Sequence, residues 1–142
     1  MILILDTDYL TLIQRHTEPN HSRLRGRLDA FPQEDVRTTI VSFEEQMRGW
    51  LSIIARSRRR DQEVAAYQLL HDSLAFFSSI PVLPYDNRAS EQLALLRRLR
   101  LRIGSMDLKI AAIALSPNGL LLSRNLKDFR RVPNLKVADW TA

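Results

Sequence analysis

The sequence contains no cysteine and only three histidines among its 142 residues. The absence of cysteine excludes disulfides, thiolate metal sites and thiol nucleophiles. His16, His21 and His71 do not form the H-x-x-x-H or H-E-x-x-H spacing of zinc sites, so a zinc enzyme is not predicted. The motifs G-x-S-x-G, G-x-x-x-x-G-K-[ST] and G-x-G-x-x-G are missing as well. The sequence therefore does not predict a serine hydrolase, a P-loop nucleoside triphosphatase or a Rossmann dinucleotide-binding protein.

Long apolar runs and targeting signals are also missing from the chain. No stretch of about 18 apolar residues occurs, so we expect no membrane span. The N-terminus shows no basic leader followed by a small-residue cleavage site, and we expect a cytoplasmic protein. A length of 142 residues with 45% hydrophobic and 26% charged residues is typical of one globular domain, which we place at residues 1–142.

Positive charge is in excess, with a formal net charge of +5 and a pI near 10.2. The arginines are concentrated at positions 56–60, 97–102 and 124–131. Because each neutralised phosphate releases counterions, such a surface favours binding to a polyanion such as a nucleic acid. Solvated helix ends explain the same arginines equally well, so the charge alone does not decide the function.

Short apolar segments rich in branched residues alternate with longer helical patterns along the chain. The predicted strands are Ile2–Leu5, Arg37–Val41, Ile80–Leu83, Gly119–Ser123 and Leu135–Val137. The predicted helices include Phe43–Arg56, Asp61–Phe77, Asp86 to about Leu101, and Met106–Leu115. Strands that alternate with helices predict an α/β fold, with a central and mostly parallel sheet of about five short strands flanked by helices.

Four acidic residues lie where predicted strands give way to helices, namely Asp6, Glu45, Asp107 and Asp128. In an open parallel sheet, the carboxyl ends of the strands line one shared crevice. Carboxylates gathered there repel one another and raise each other's pKa unless a cation lies among them. Hard divalent ions such as Mg²⁺ prefer oxygen ligands and suit catalysis on phosphates. The pattern therefore predicts a metal-dependent enzyme that acts on a phosphate ester.

Helix capping is the alternative explanation for the first acidic segment. Thr7 or Asp8 would accept backbone N–H bonds at the start of the first helix. A carboxylate at the end of a buried central strand is costly without a partner, which favours a functional role for Asp6. Asp8 fits a cap and a role beside the metal equally well. Asp86 is interpreted as a structural helix cap.

Capping also competes for the other acids. Ser42 and Glu45 fit the capping box S-x-x-E, and spacing alone does not choose between Glu44 and Glu45 as the functional acid. Asp107 lies in the first turn of a predicted helix, where the helix dipole stabilises an anion. Asp128 resembles an acid at the third position of a short helix and is the weakest of the four when taken alone.

Four blocks, in this order and at this spacing, resemble one known family. They are L-D-T-D at positions 5–8, E-Q-M-R-G at 45–49, I-G-S-M-D-L-K-I-A-A at 103–112 and S-R-N-L-K-D-F at 123–129. Over nearly its full length the chain resembles PIN-domain ribonucleases of the VapC type, the toxin half of a bacterial toxin–antitoxin pair. The fold implied is a single PIN-like domain. The E-x-x-x-G form of the second block, which ends at Gly49, aligns Glu45 rather than Glu44 with the family's acid.

The resemblance implies a metal-dependent endoribonuclease that acts on tRNA or other structured RNA and leaves a 5′-phosphate and a 3′-hydroxyl. The cofactor implied is Mg²⁺, with Mn²⁺ as an alternative. The catalytic and metal-binding residues implied are Asp6, Glu45, Asp107 and Asp128. The residues expected to orient these ligands are Thr7, Asp8, Ser123 and Asn125. Those expected to contact the RNA backbone are Arg124, Arg59 and Arg60.

The same resemblance implies a homodimer inhibited by a VapB-like antitoxin that presents an arginine or similar cation to the acidic crevice. Apolar contact is expected along the hairpin Phe43–Phe77, from Trp50, Ile53, Tyr67 and Leu70. Two departures from the family pattern are Asp8, where asparagine is common, and Ser123, where threonine is common. The alternative function is a non-catalytic PIN-like module that binds RNA or protein. A nuclease that acts on DNA is a further alternative, because it uses the same chemistry.

Overall fold

The computed structural model describes residues 1–142, which form a parallel sheet of five strands with helices on both faces. The strands are β1 Leu3–Leu5, β2 Val36–Thr39, β3 Val82–Leu83, β4 Leu120–Leu122 and β5 Lys136–Ala138. The helices are α1 Thr7–Arg15, α2 Asn20–Leu28, α3 Ile40–Arg56, α4 Arg60–Ser78, α5 Asn87–Arg98, α6 Ser105–Leu115 and α7 Leu126–Phe129. A 3₁₀ turn, Gln33–Asp35, precedes β2. None of the helices is long and apolar enough to cross a bilayer.

The strand order β3-β2-β1-β4-β5 places β1 at the centre of the sheet. The chain builds outward from β1 through β2 to β3, and then returns to the other side of β1 for β4 and β5. This order reverses between β1 and β4, which pair in parallel with Leu5 opposite Leu122. Ligands of open parallel sheets bind outside the carboxyl ends of strands at such a reversal. The residues that follow β1 and β4 are Asp6 and Ser123.

Two apolar clusters cover the two faces of the sheet. One contains the buried side of α6 packed with α5, β4 and Phe129, and the other contains α1 and α2 packed on β1 with Trp140. Close approach of the backbone is required at Gly119, where a Cβ atom would lie 2.9 Å from Ile4 Cδ1 and 3.1 Å from the Ile2 carbonyl oxygen. The two strands on which the crevice is built are therefore packed without room for a side chain at this point.

The second strand–helix joint differs from the predicted one. Ile40 and Val41 were predicted in a strand because they are β-branched, but they form the first turn of α3. The Thr39 side chain caps this helix by accepting the Ser42 N–H at 3.1 Å. The alternative explanation of Glu45 as part of a capping box with Ser42 is therefore wrong, since the N-cap is Thr39, three residues before Ser42, and Glu45 lies in the second turn of the helix.

The helical spacing predicts an apolar face of Ala89, Leu95, Leu96 and Leu99 in α5 and one of Val64, Tyr67, Leu70, Leu74 and Phe77 in α4, and both predictions are wrong in part. In α5, Leu93 and Leu96 are buried, whereas Leu95 and Leu99 are exposed. In α4 the buried residues are Ala66 and Ser73, and the larger apolar side chains predicted for its buried stripe are mostly exposed, namely Val64, Tyr67 and Leu74. In α4 the inward residues are small, which allows close packing against α3, the helix that it contacts most.

Candidate active site

Asp6 is the buried centre of the crevice. It follows the fully buried strand β1 and retains only 6% of its accessible surface. Its Oδ1 accepts the Thr7 N–H at 2.8 Å, and its Oδ2 accepts the Ser123 hydroxyl at 2.7 Å. Asp6 itself, rather than Thr7 or Asp8, therefore caps α1. One carboxylate oxygen caps the helix, and the other connects the end of β1 to the end of β4 through Ser123.

The environment of Asp6 opposes its negative charge. The pKa of this carboxyl is raised to about 7, mainly by burial and in addition by the charges of Asp8 and Asp107. The hydrogen bonds from Ser123 and Thr7 lower this pKa, but by less. A buried carboxylate with like charges around it is a typical feature of sites that bind a cation or transfer a proton.

Glu45 reaches the same crevice from α3. Its Oε1 accepts the Thr7 hydroxyl at 2.7 Å, so the start of α1 holds the side chain of α3 in place. Burial raises the pKa of Glu45, with a smaller increase from the charge of Asp107. Glu44 points elsewhere and pairs with Arg48 on the exposed side of the helix. The structure thus brings Glu45, and not its neighbour, to Thr7.

Asp107 and Asp128 are connected by one amide. Asn125 Nδ2 donates to Asp107 Oδ2 at 3.2 Å and to Asp128 Oδ2 at 3.1 Å. Asp107 lies in the first turn of α6, and Asp128 is the third residue of α7. Burial raises the pKa of Asp107, and the charge of Asp128 adds to this increase. The nearest cation to Asp128 is Arg131, with Nη1 4.0 Å from Oδ1.

Asp8 lies at the edge of the cluster and is only partly satisfied. Its Oδ2 accepts the Arg124 backbone N–H at 3.2 Å, whereas its buried Oδ1 has no hydrogen-bond partner. Burial raises the pKa of this carboxyl, although the Arg124 amide lowers it in part. Asp8 therefore fastens the segment after β4 and retains one free oxygen.

The PIN domain family matches residues 3–135, which is most of the chain. The chain belongs to the PIN-domain family. Ribonuclease VapC2 of Rickettsia felis is 28% identical, with 99% of this chain and 98% of the relative covered. Ribonuclease VapC1 of Haemophilus influenzae is 26% identical, with 99% of both covered. The DNA-bound VapBC structure from Salmonella typhimurium shares the fold, with a TM-score of 0.77 at 24% identity, over 99% of this chain and 98% of that one.

These comparisons confirm the predicted resemblance to VapC-type PIN domains and the predicted α/β fold with a parallel sheet. In this PIN domain the four predicted acids approach from β1, α3, α6 and α7, and their charges act on one another. As the side chains stand, no three acidic or histidine residues form a group that could hold a metal ion. The donors present are carboxylate, hydroxyl and amide oxygens, which in kind fit Mg²⁺ or Mn²⁺.

The predicted RNA contacts lie in two separate places on this PIN domain. Arg124 is exposed in the segment after β4 and borders the carboxylates through its amide contact with Asp8. Arg59 and Arg60 lie at the tip of the α3–α4 hairpin, where Arg59 pairs with Asp61 at 3.2 Å. Helix α3 continues for eleven residues beyond Glu45 to Arg56, so this tip lies about 16 Å farther along its axis.

Sequence reasoning missed two polar connections that support the site. Gln46 is buried beside Glu45, and its Nε2 donates to Thr11 Oγ1 at 3.1 Å, which fastens α3 to α1. The Tyr9 hydroxyl donates to Asp139 Oδ1 at 2.7 Å and accepts the Trp140 N–H at 2.6 Å, which fastens the C-terminal segment to α1. A glutamine in an otherwise apolar helical face was the only available signal for the first connection, and the second had none.

Proposed function

We propose that this PIN domain is a divalent-metal-dependent endoribonuclease, the toxin of a toxin–antitoxin pair, and that it hydrolyses phosphodiesters in tRNA or other structured RNA. The observation that carries the proposal is the set of carboxylates at the point where the strand order reverses, whose hydrogen bonds come from the neutral groups of Thr7, Ser123 and Asn125. Their one ion pair is long, with Arg131 4.0 Å from Asp128. Relatives called ribonuclease VapC, aligned over 99% of the chain, support the substrate class.

The acidic residues have distinct proposed roles. Asp6, Glu45 and Asp107 would hold Mg²⁺ or Mn²⁺, and Asp128 would complete the site or orient the attacking water. When bound, such an ion lowers the pKa of water and neutralises charge on the phosphate. Asp6 suits the central position because its burial leaves a negative charge that no protein cation offsets.

The neighbouring residues hold the acids and the substrate. Ser123 and Thr7 keep Asp6 and Glu45 in fixed rotamers through their hydroxyls, and they compete weakly with a cation because both are neutral. Arg124 borders the crevice and would contact an RNA phosphate. Arg59 and Arg60, about 16 Å away along α3, would contact the backbone of a longer RNA rather than the bond that is cut.

Purified protein is expected to cut labelled tRNA or ribosomal RNA fragments in Mg²⁺ or Mn²⁺ and to stop when EDTA is added. The reason is that the carboxylates require a cation before a phosphate can approach them. Products that carry a 5′-phosphate and a 3′-hydroxyl would agree with the proposal. Tight RNA binding without cutting, in any divalent ion, would favour a non-catalytic module instead.

The partner is proposed to be a VapB-type antitoxin. The similar solved structures are VapBC complexes, and in this chain Val64, Tyr67 and Leu74 form an exposed apolar face on α4. Among the residues predicted for this contact, Tyr67 is exposed, Ile53 and Leu70 are half-buried, and Trp50 is buried, so direct contact with Trp50 is no longer expected. A homodimer stays part of the proposal.

The double variant Tyr67→Asp/Leu74→Asp is expected to bind the VapB-type partner at least about tenfold more weakly and to cleave RNA as the wild type does. Burial of even a neutral polar group without a partner costs roughly 1–3 kcal/mol, and an unpaired carboxylate costs more. Affinity is measured by calorimetry with Tyr67→Asp/Leu74→Asp protein. The control is Leu95→Asp, which alters an equally exposed leucine on α5. Equal loss of affinity in both proteins would contradict the assignment to α4.

A further inference from the structure

Asn125 stands at the N-terminus of a helix but does not cap it. It occupies the N-cap position of α7, where an asparagine side chain ordinarily accepts a backbone N–H, and no such hydrogen bond forms. The amide nitrogen instead donates to Asp107 at 3.2 Å and to Asp128 at 3.1 Å. Both hydrogens of one amide are therefore used on two carboxylates that belong to different helices.

The bridge joins groups that otherwise repel each other. The charge of Asp128 raises the pKa of Asp107, whereas the hydrogen bond from Asn125 lowers it. Thr7 joins the other two acids, through its backbone N–H to Asp6 and its hydroxyl to Glu45, whereas Asn125 joins Asp107 and Asp128 through its side chain alone. Two hydrogen bonds from one planar amide fix both the separation and the orientation of the carboxylates.

Asn125 is itself fixed to the central acid. Its backbone N–H donates to Ser123 Oγ at 2.9 Å, and the Ser123 hydroxyl donates to Asp6 Oδ2 at 2.7 Å. A continuous series of neutral groups therefore leads from Asp6 through Ser123 to Asn125 and from there to both remaining aspartates. A displacement at Asn125 would reach three of the four acids.

We propose that Asn125 is a positioning residue that sets the relative placement of Asp107 and Asp128 before any cation or RNA arrives. This inference rests on the proposed nuclease function for its catalytic consequence, but the bridge itself does not. A neutral donor suits this task because it reduces repulsion between the carboxylates without occupying the site with a positive charge. Asp107 and Asp128 then act as one prearranged unit.

Asn125→Ala is expected to lower kcat by about 10- to 100-fold and to raise the half-saturating Mg²⁺ concentration by about tenfold, with KM for RNA within about threefold. Asn125→Asp keeps the size of the side chain but loses the donor, so it should be at least as impaired as the alanine variant. Asn87→Ala, an exposed asparagine on α5, is the control and should match the wild type. An active Asn125→Asp protein with wild-type metal dependence would overturn the inference.

A second measurement needs neither metal nor activity. In protein kept in EDTA, the Asn125 side-chain amide signals in a ¹⁵N–¹H spectrum should shift with both Asp107→Asn and Asp128→Asn, and the Asn87 signals should not. If the wild type fails to cut RNA and these shifts are present, the nuclease proposal fails while the bridge stands. If the Asn125 signals shift with neither substitution, the bridge is refuted whether or not the wild type is a nuclease.

Discussion

Asp6→Asn protein is expected to cleave RNA at least about a thousandfold more slowly than the wild type in Mg²⁺, a loss of about 4 kcal/mol in transition-state stabilisation. The fold should survive because the amide can replace both contacts of the carboxylate. The oxygen of the new amide would accept the Thr7 N–H, and its nitrogen would donate to Ser123 Oγ. In the wild type this Oγ lies 2.7 Å from Asp6 Oδ2. The loss therefore reports the missing charge. Single-turnover cleavage of labelled RNA measures it.

The same substitution should change how stability depends on pH. The pKa of Asp6 is raised from 3.8 to about 7 in the folded protein, so between these values the folded state binds a proton that the unfolded state has released. Stability of the wild type in EDTA should therefore fall as pH rises from about 4 to about 7, by as much as a few kcal/mol. Asp6→Asn should lack this decrease and be the more stable protein at pH 8.

Added Mg²⁺ or Mn²⁺ should raise the melting temperature of the wild type at pH 8, since a cation stabilises the ionised carboxyl, and should affect Asp6→Asn much less. The control is Asp86→Asn, because Asp86 caps α5 by accepting the Ala89 N–H and asparagine caps equally well. The control should match the wild type in activity and in pH dependence. An Asp6→Asn protein that is less stable at every pH would show that the carboxylate is structural.

The acids at the strand ends were predictable because both of their determinants are local. A short branched apolar run identifies a buried parallel strand, and the residue after it must lie at the carboxyl edge of the sheet. This reasoning places Asp6 after β1 and Ser123 after β4. Which strand lies beside which is a different matter. The pairing of β1 with β4 joins residues more than a hundred positions apart, and only the whole topology determines it.

Local reasoning failed where packing overrides propensity. Ile40 and Val41 have strand-forming side chains, yet the Thr39 cap and the position of α3 against the sheet place both in a helix. The apolar pattern of α4 likewise does not reveal which of its faces meets α3, because Ala66 and Ser73 are inward and Tyr67 is outward. A partner that covers the outward face would supply the missing reason for its apolar residues.

The contacts among the site residues were not predictable at all. Nothing in the spacing of Thr7 and Glu45, 38 positions apart, indicates a hydrogen bond of 2.7 Å. The sequence blocks nominated Thr7, Ser123 and Asn125 as supporting residues, but the acid that each one holds follows from rotamers and helix orientation. Asn125 is the clearest case, since its position at a helix start predicts a cap and its amide bridges two carboxylates instead.

Glu45→Gln and Glu44→Gln form a matched pair, in which neighbouring residues undergo the same chemical change with opposite expected results. Glu45→Gln should lower RNA cleavage by about 100- to 1,000-fold, because the crevice loses a charge, while the Thr7 hydroxyl can still donate to the amide oxygen. Glu44→Gln should stay within about twofold of the wild type. Its carboxylate pairs with Arg48 on an exposed face, and such a helix pair contributes only about 0.3–0.5 kcal/mol.

The contrast follows from helix geometry, since adjacent residues of a helix point in directions about 100° apart and do not share a face. The charge of Glu44 raises the pKa of Glu45, so removing it should, if anything, favour the ionised form of Glu45. The comparison requires cleavage rates and the half-saturating Mg²⁺ concentration for both variants, with melting temperatures to show that both fold. A large loss of activity in Glu44→Gln with normal activity in Glu45→Gln would show that Glu44, and not Glu45, is the functional acid of α3. Normal activity in both would remove α3 from the site and leave the nuclease chemistry to the aspartates alone.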